Sequence, residues 1–169
     1  MAEIIVTPQS KLAEAIAQYV PQKIITLVSP DAQVSLPVTL SADDYLRLNF
    51  NDITEPRDGF VAPEAEHIHA ILNFAASWNG EKPLLIHCFA GISRSTAAAY
   101  ILMCALKPAL SEHEMALVLR QLAPSATPNI RLVALADEIL GRKGAMRQAI
   151  QNIGRGADAF EGSVFKLAL

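Results

Sequence analysis

HCFAGISRSTAAAYILMC, residues 87–104, decides how the rest of the chain is read. It follows KPLLIH (82–87), a nearly continuous apolar run of the kind that forms a strand buried on both faces of a parallel sheet. It runs into RSTAAAYILMCALK (94–107), which reads as a helix. Between strand and helix lies the loop Cys88-Phe89-Ala90-Gly91-Ile92-Ser93-Arg94. Its small residues let backbone N–H groups turn inward, and Gly91 removes the Cβ penalty of an unusual turn. A helix starting near Arg94 aims its unpaired N–H groups and positive dipole end at the same point. The result is an anion nest with a thiol at its entrance, a setting that favours the thiolate. Arg94 adds a planar fork that can hold two oxygens of one phosphate. The loop is not a nucleotide P-loop, because the lysine of G-x-x-x-x-G-K-[ST] is missing.

Working outward, EIIV (3–6), KIITLV (23–28) and YLRLNF (45–50) read as further strands, with a short one near Val34–Leu36. Leu12, Ala15, Ile16 and Tyr19 recur at helical spacing after Thr7-Pro8 or Ser10, either of which suits a cap; Pro21 stops that helix. PEAEHIHAILNFAASW (63–78) reads as a helix with Pro63 in its first position, ended by Asn79-Gly80. Ser111 and Glu114 form a capping-box pattern opening a helix over 112–122, and helices follow over 130–140 and 145–152. Strands and helices alternate through residue 107, after which helices dominate. The expectation is an α/β fold: a central, mostly parallel, four- to five-stranded sheet flanked by helices, in a single domain over 1–153. The tail 154–169 is broken by glycines but carries Phe160, Phe165, Leu167 and Leu169, so it is expected to dock on the core or on a second subunit.

The chain has 169 residues, 51% hydrophobic and 18% charged, which suits one folded domain. Its formal net charge is -3, with no basic stripe, so nucleic acid is not an expected partner. Two cysteines are too few for a disulfide framework and fit a reducing cytoplasm. No signal peptide is evident, and TAAAYILMCAL is too short to span a bilayer, so no membrane partner is expected. The oligomeric state is left open.

HCFAGISRS resembles the signature of the cysteine-dependent protein tyrosine phosphatases, in their compact dual-specificity-like branch. The resemblance runs from about residue 23 to residue 140, and only the loop is highly specific. It implies a phosphatase-like single domain in which Cys88 attacks phosphorus to form a cysteinyl-phosphate. Arg94 and the amides of Phe89, Ala90, Gly91, Ile92 and Ser93 bind the phosphate. Ser95 hydrogen-bonds the thiolate and helps it leave, and His87 helps fix the loop and depress the thiol pKa without itself transferring protons. An aspartate upstream protonates the departing oxygen and then activates water. Neither metal nor cofactor is implied. The expected substrate is a phosphorylated protein or a small phosphomonoester.

Two aspartates in the long connection 51–62 are candidates for that acid. Asp58 fits the family's usual spacing to the cysteine better. Asp52 directly follows a strand, at the carboxyl end where open α/β sheets place their ligands, and "NDI" resembles the family's acid context. Asp58 lies in EPRDG, which makes an ordinary turn without catalytic purpose. The reading takes Asp52, with Asp58 as the alternative. Asn129 resembles a family asparagine that braces the phosphate loop, and equally suits a helix cap. Cys104 reads as core, about 15 Å along the helix from Arg94. His67 and His69 read as surface residues, Arg57 as loop surface and Phe60 as the loop's anchor. Competing readings are a phosphoinositide or inositol phosphate phosphatase, a rhodanese-like sulfurtransferase, and a silent phosphoprotein-binding module. The lack of lysine inside the loop argues against the first, and the Ser-Arg-Ser ending with the aspartate loop argues against the second.

Overall fold

The computed structural model describes all residues, 1–169. Its strands are β1 (Glu3–Pro8), β2 (Lys23–Val28), β3 (Tyr45–Asn49), β4 (Leu84–Cys88) and β5 (Phe165–Ala168). Its helices are α1 (Leu12–Tyr19), α2 (Ala65–Ala76), α3 (Arg94–Leu106), α4 (Glu112–Leu122), α5 (Ile130–Ile139) and α6 (Ala145–Ile153). The strands form one sheet in the order β3-β2-β4-β1-β5. β1 through β4 pair in parallel, and β5 runs antiparallel to β1.

The sheet is apolar on both faces because helices cover both. Ile4, Val6, Ile25, Leu27, Leu84 and Ile86 point into the larger core, shared with α2 to α6. Ile5, Ile24 and Leu85, offset by one residue, point to the other face against Leu12, Ala15 and Ile16 of α1. β4 is central and buried at every position. α3 is buried from Arg94 through Cys104, which explains why it reads as apolar all round rather than amphipathic. It packs against β4 and β1 of the sheet and against α2, α4 and α5.

Several local expectations change. Val34–Leu36 is not a strand; Val34, Leu36 and Leu40 pack as irregular chain over the smaller core, where side-chain burial needs no ladder. Neither Thr7 nor Ser10 caps α1. β1 extends through Pro8, Thr7 turns its hydroxyl onto the Pro8 carbonyl, and a single turn over Gln9–Lys11 leads into the helix. α2 begins at Ala65, two residues inside the expected start. Glu64 is its cap, and the His67 ring closes a capping box by accepting the Glu64 N–H at 2.9 Å, so Pro63 stands outside the helix. β4 runs through Cys88, placing the thiol at the strand's carboxyl end. After α6 the chain ends in β5, which extends the sheet beyond β1. No helix is long and apolar enough to cross a membrane.

Candidate active site

β4 ends at Cys88 and α3 begins at Arg94, so a tight loop must reverse the chain between them. Gly91 makes the bend at φ +66°, a conformation that L side chains rarely adopt. A Cβ there would sit 2.8 Å from the Pro8 nitrogen, so the bend is pressed against the end of β1.

The loop's carbonyls are tied outward. Phe89 O accepts the Gln9 N–H at 3.0 Å, Ala90 O accepts the Gly162 N–H at 2.7 Å, and Ile92 O accepts the Thr127 N–H at 2.9 Å. Ser93 O accepts the Asn129 N–H at 3.2 Å as well as the helical bond from Ala97. The Thr96 hydroxyl adds bonds to Ile92 O at 2.5 Å and to Ser93 O at 3.1 Å. The amides behave oppositely: the N–H groups of Phe89, Ala90, Ile92, Ser93 and Arg94 donate to no protein acceptor. A loop whose carbonyls are bound outside and whose donors are left unpaired is a cradle for an anion.

Cys88 is buried to 2% exposure, and its Sγ is within 3.1 Å of Ser95 Oγ and 3.3 Å of the Gly91 N–H donor. Arg94, 6% exposed, is anchored by one nitrogen, which donates to Phe50 O at 2.9 Å and Ser29 Oγ at 3.3 Å. Its Nε is a buried donor with no partner. A buried guanidinium N–H left unsatisfied is costly unless an anion meets it. His87 is fully buried and shares a 2.7 Å hydrogen bond between Nε2 and Thr26 Oγ1. Burial pushes its pKa down to about 4, with the nearby Arg47 and Arg94 charges adding to that and the Cys88 backbone opposing it. At neutral pH the ring is uncharged, so it fixes the loop's root by a hydrogen bond and lends the sulfur no positive charge.

Asp52 and Asp58 separate clearly. Asp52 Oδ1 accepts from Ser93 Oγ at 2.7 Å and from Asn129 Nδ2 at 2.8 Å, so its exposed carboxylate is pinned to the rim of the cradle. Asp58 stands on an exposed turn, near the Phe60 N–H that bonds to Arg57 O at 3.1 Å. Phe60 is 48% exposed beneath the Arg57 guanidinium, 5.4 Å from its ring centre, and does not anchor the loop. The Asn129 side chain is a helix cap, and it reaches the Asp52 segment rather than the anion loop, which Asn129 meets only through its backbone N–H on Ser93 O. Its Oδ1 caps α5 through the Leu132 N–H at 3.1 Å, while Nδ2 holds Asp52 and reaches Ile53 O at 3.2 Å. The Ser93 side chain is taken up by Asp52, so only its backbone lines the cradle. Ser29, Thr26 and Gly162 carry no local sequence signal, because each acts across a long sequence separation. His67 is half-buried rather than at the surface, its ring 4.7 Å from that of Phe50. His69 is exposed. A cavity of about 690 Å³ opens at the other end of α3 between Met103, Leu106, Leu110 and Met115, away from this chemistry.

No family sequence model matches the chain, and no curated protein matches it in sequence. Its three-dimensional structure does have neighbours. DUSP15 superposes with a TM-score of 0.60 at 20% identity, over 88% of this chain and 90% of that one. The human tyrosine phosphatase-like serine/threonine/tyrosine-interacting protein gives 0.62 at 16% identity, over 83% and 92%. PTPMT1, in its complex with PI(5)P, gives 0.58 at 13% identity, over 89% and 93%. The fold is therefore that of the protein tyrosine phosphatases in their compact, dual-specificity form.

Proposed function

We propose that the protein is a cysteine-dependent phosphomonoester hydrolase that removes phosphate from phosphotyrosine, and from phosphoserine or phosphothreonine, in proteins. One observation carries the reading: the loop that follows the Cys88 sulfur leaves the amides of Phe89, Ala90, Ile92, Ser93 and Arg94 unpaired and ends in Arg94, whose buried Nε has no partner. Two structural neighbours, Cydia pomonella PTP-2 and the Yvh1 domain of Chaetomium thermophilum, are named as phosphatases, and one of the human neighbours as tyrosine phosphatase-like. A shared fold fits both turnover and binding, so the side chains must decide between them.

The chemistry needs no group from outside the chain except water. The Cys88 thiolate attacks phosphorus, an S–P bond forms, and the P–O bond to the leaving group breaks. Asp52, protonated, gives its proton to the departing oxygen. With Oδ1 already accepting two hydrogen bonds, the proton it gives sits on Oδ2. Asp52 then takes a proton from water as that oxygen attacks phosphorus and the S–P bond breaks. The returning thiolate is met by Ser95 Oγ and the Gly91 N–H. Arg94 and the loop amides hold the phosphoryl oxygens through both steps, where positioning and charge stabilisation supply most of the catalysis. The catalytic domain is assigned to residues 1–153, with 154–169 folded onto it. A thiol nucleophile stays in working form where disulfides do not persist, so a cytoplasmic location belongs to the reading.

The test is phosphate release from a panel of phosphotyrosine and phosphothreonine peptides, inositol phosphates and phosphoinositide vesicles, with Cys88→Ser as control. Turnover of the peptides, lost in the serine variant, is expected. Turnover of the inositol compounds alone would replace the peptide substrate with the inositide one. Phosphopeptide binding without release would make the protein a binding module.

A further inference from the structure

The segment between α6 and β5 is fixed at both ends. Near its start the Gly156 N–H donates to Thr127 Oγ1 at 3.0 Å and the Ala157 N–H to Pro124 O at 2.9 Å. At its end β5 pairs with β1, Val6 opposite Phe165. Between these points Ser10 Oγ donates to Glu161 at 2.6 Å. There the chain passes so close to the anion loop that no side chain fits at position 162: a Cβ on Gly162 would lie 2.6 Å from Gly91 O. Gly162 is buried.

The hydrogen bond from Gly162 falls on one particular peptide unit. Its N–H donates at 2.7 Å to Ala90 O. The amide on the other side of that same planar unit is the Gly91 N–H, which donates to Cys88 Sγ at 3.3 Å. Rotating the unit to release one bond breaks the other, and a flipped unit would turn a carbonyl oxygen towards the sulfur. The hydrogen bond on the carbonyl also polarises the N–H facing the sulfur. Glycine at 91 makes such a flip sterically easy, so the unit needs an external hold. The end of β1 presses on Gly91 from Pro8, and the strap grips it through Gly162.

We propose that Gly162 is a positioning residue for the nucleophile: it acts through the Ala90–Gly91 peptide to keep the Gly91 N–H donor aimed at the Cys88 sulfur. The inference rests on the hydrolase reading for its role in turnover, but its structural core is tested without turnover. In Gly162→Ala, iodoacetamide alkylation of Cys88 at pH 6 slows about tenfold, the worth of one hydrogen bond to a charged group. The deficit closes as pH rises towards 9, because only the thiolate fraction has changed. With phosphopeptide, kcat falls while KM changes little. A purely structural glycine would lower the melting temperature and leave the alkylation pH profile of the folded variant superimposed on wild type; that result overturns the proposal. Should the variant not fold, hydrogen exchange in the unaltered protein decides. The Gly162 amide is expected to exchange as slowly as sheet amides, and exchange at the rate of an open loop would overturn the strap. If the wild type hydrolyses nothing, the hydrolase reading fails while alkylation and exchange still judge Gly162.

Discussion

Ser93 and Asn129 both donate to Oδ1 of Asp52, while Asp58 rests on an exposed turn with no such partner. The roles of the two aspartates are therefore expected to separate by leaving group. With an alkyl phosphate, whose leaving oxygen must be protonated, Asp52→Ala loses roughly 10²–10⁴-fold in kcat and Asp58→Ala stays near wild type. With an aryl phosphate of acidic phenol, the Asp52→Ala deficit shrinks sharply. Equal losses for both aspartates on both substrates would contradict the assignment. The two cysteines differ as plainly. Cys104 is fully buried, and burial, partly offset by the Tyr100 hydroxyl and Arg142, raises its thiol to about 12. Alkylation of the native protein at pH 7, mapped by peptide mass, is expected at Cys88 alone; modification of Cys104 at a comparable rate would mean that its part of the core opens.

At the scale of elements, the anion loop is held by three separate segments: Gln9 in the turn after β1, Thr127 and Asn129 in the 124–129 connection, and Gly162 in the tail. Two caps separate stability from catalysis. Ser111 caps α4 by accepting the Glu114 N–H at 3.1 Å, far from the loop, and Ser111→Ala is expected to cost about 1 kcal/mol in urea unfolding with activity unchanged. Asn129 caps α5 and also holds Asp52, so Asn129→Ala should cost a similar amount and lower kcat with poor leaving groups. Ser93→Ala, which removes only the second bond to Asp52, should show the kinetic loss without the stability loss. The elements themselves were largely legible from sequence, because the strands are short apolar runs bounded by turn residues and the helices have periodic apolar faces. The loop was legible because nucleophile, bend, clamp and helix start are contiguous in the chain. What escaped was set by tertiary contact. β5 is a four-residue strand with two buried and two exposed positions, and it becomes a strand only because β1 offers it an edge. The Asp52–Ser93–Asn129 cluster joins three separate segments, and Gly162 carries no local mark at all.

At the scale of the whole molecule, the buried imidazole at the root of the loop couples fold stability to pH. His87 has a pKa near 4 in the fold against about 6.5 in the unfolded chain. Between those values the unfolded chain holds a proton that the fold excludes, so stability is complete above about pH 6.5 and falls as pH drops towards 4. The loss approaches the order of 3 kcal/mol at the acid end of that window. His67, lowered mainly by burial against the pull of Glu66 and Glu64, acts in the same direction. Urea midpoints measured from pH 7 to pH 4.5 should fall, and His87→Asn, though less stable, should flatten the curve; an unchanged slope would show that another group drives it.

The central claim is that the sulfur in this cradle becomes bonded to phosphorus. Asp52→Ala, mixed with an aryl phosphate, quenched in acid within the first turnovers and digested for mass analysis, tests it directly. A single phosphoryl group on the peptide carrying Cys88, absent from Cys88→Ser, is the expected result. Steady phosphate release by Cys88→Ser, or a phosphoryl group on any other residue, would contradict it.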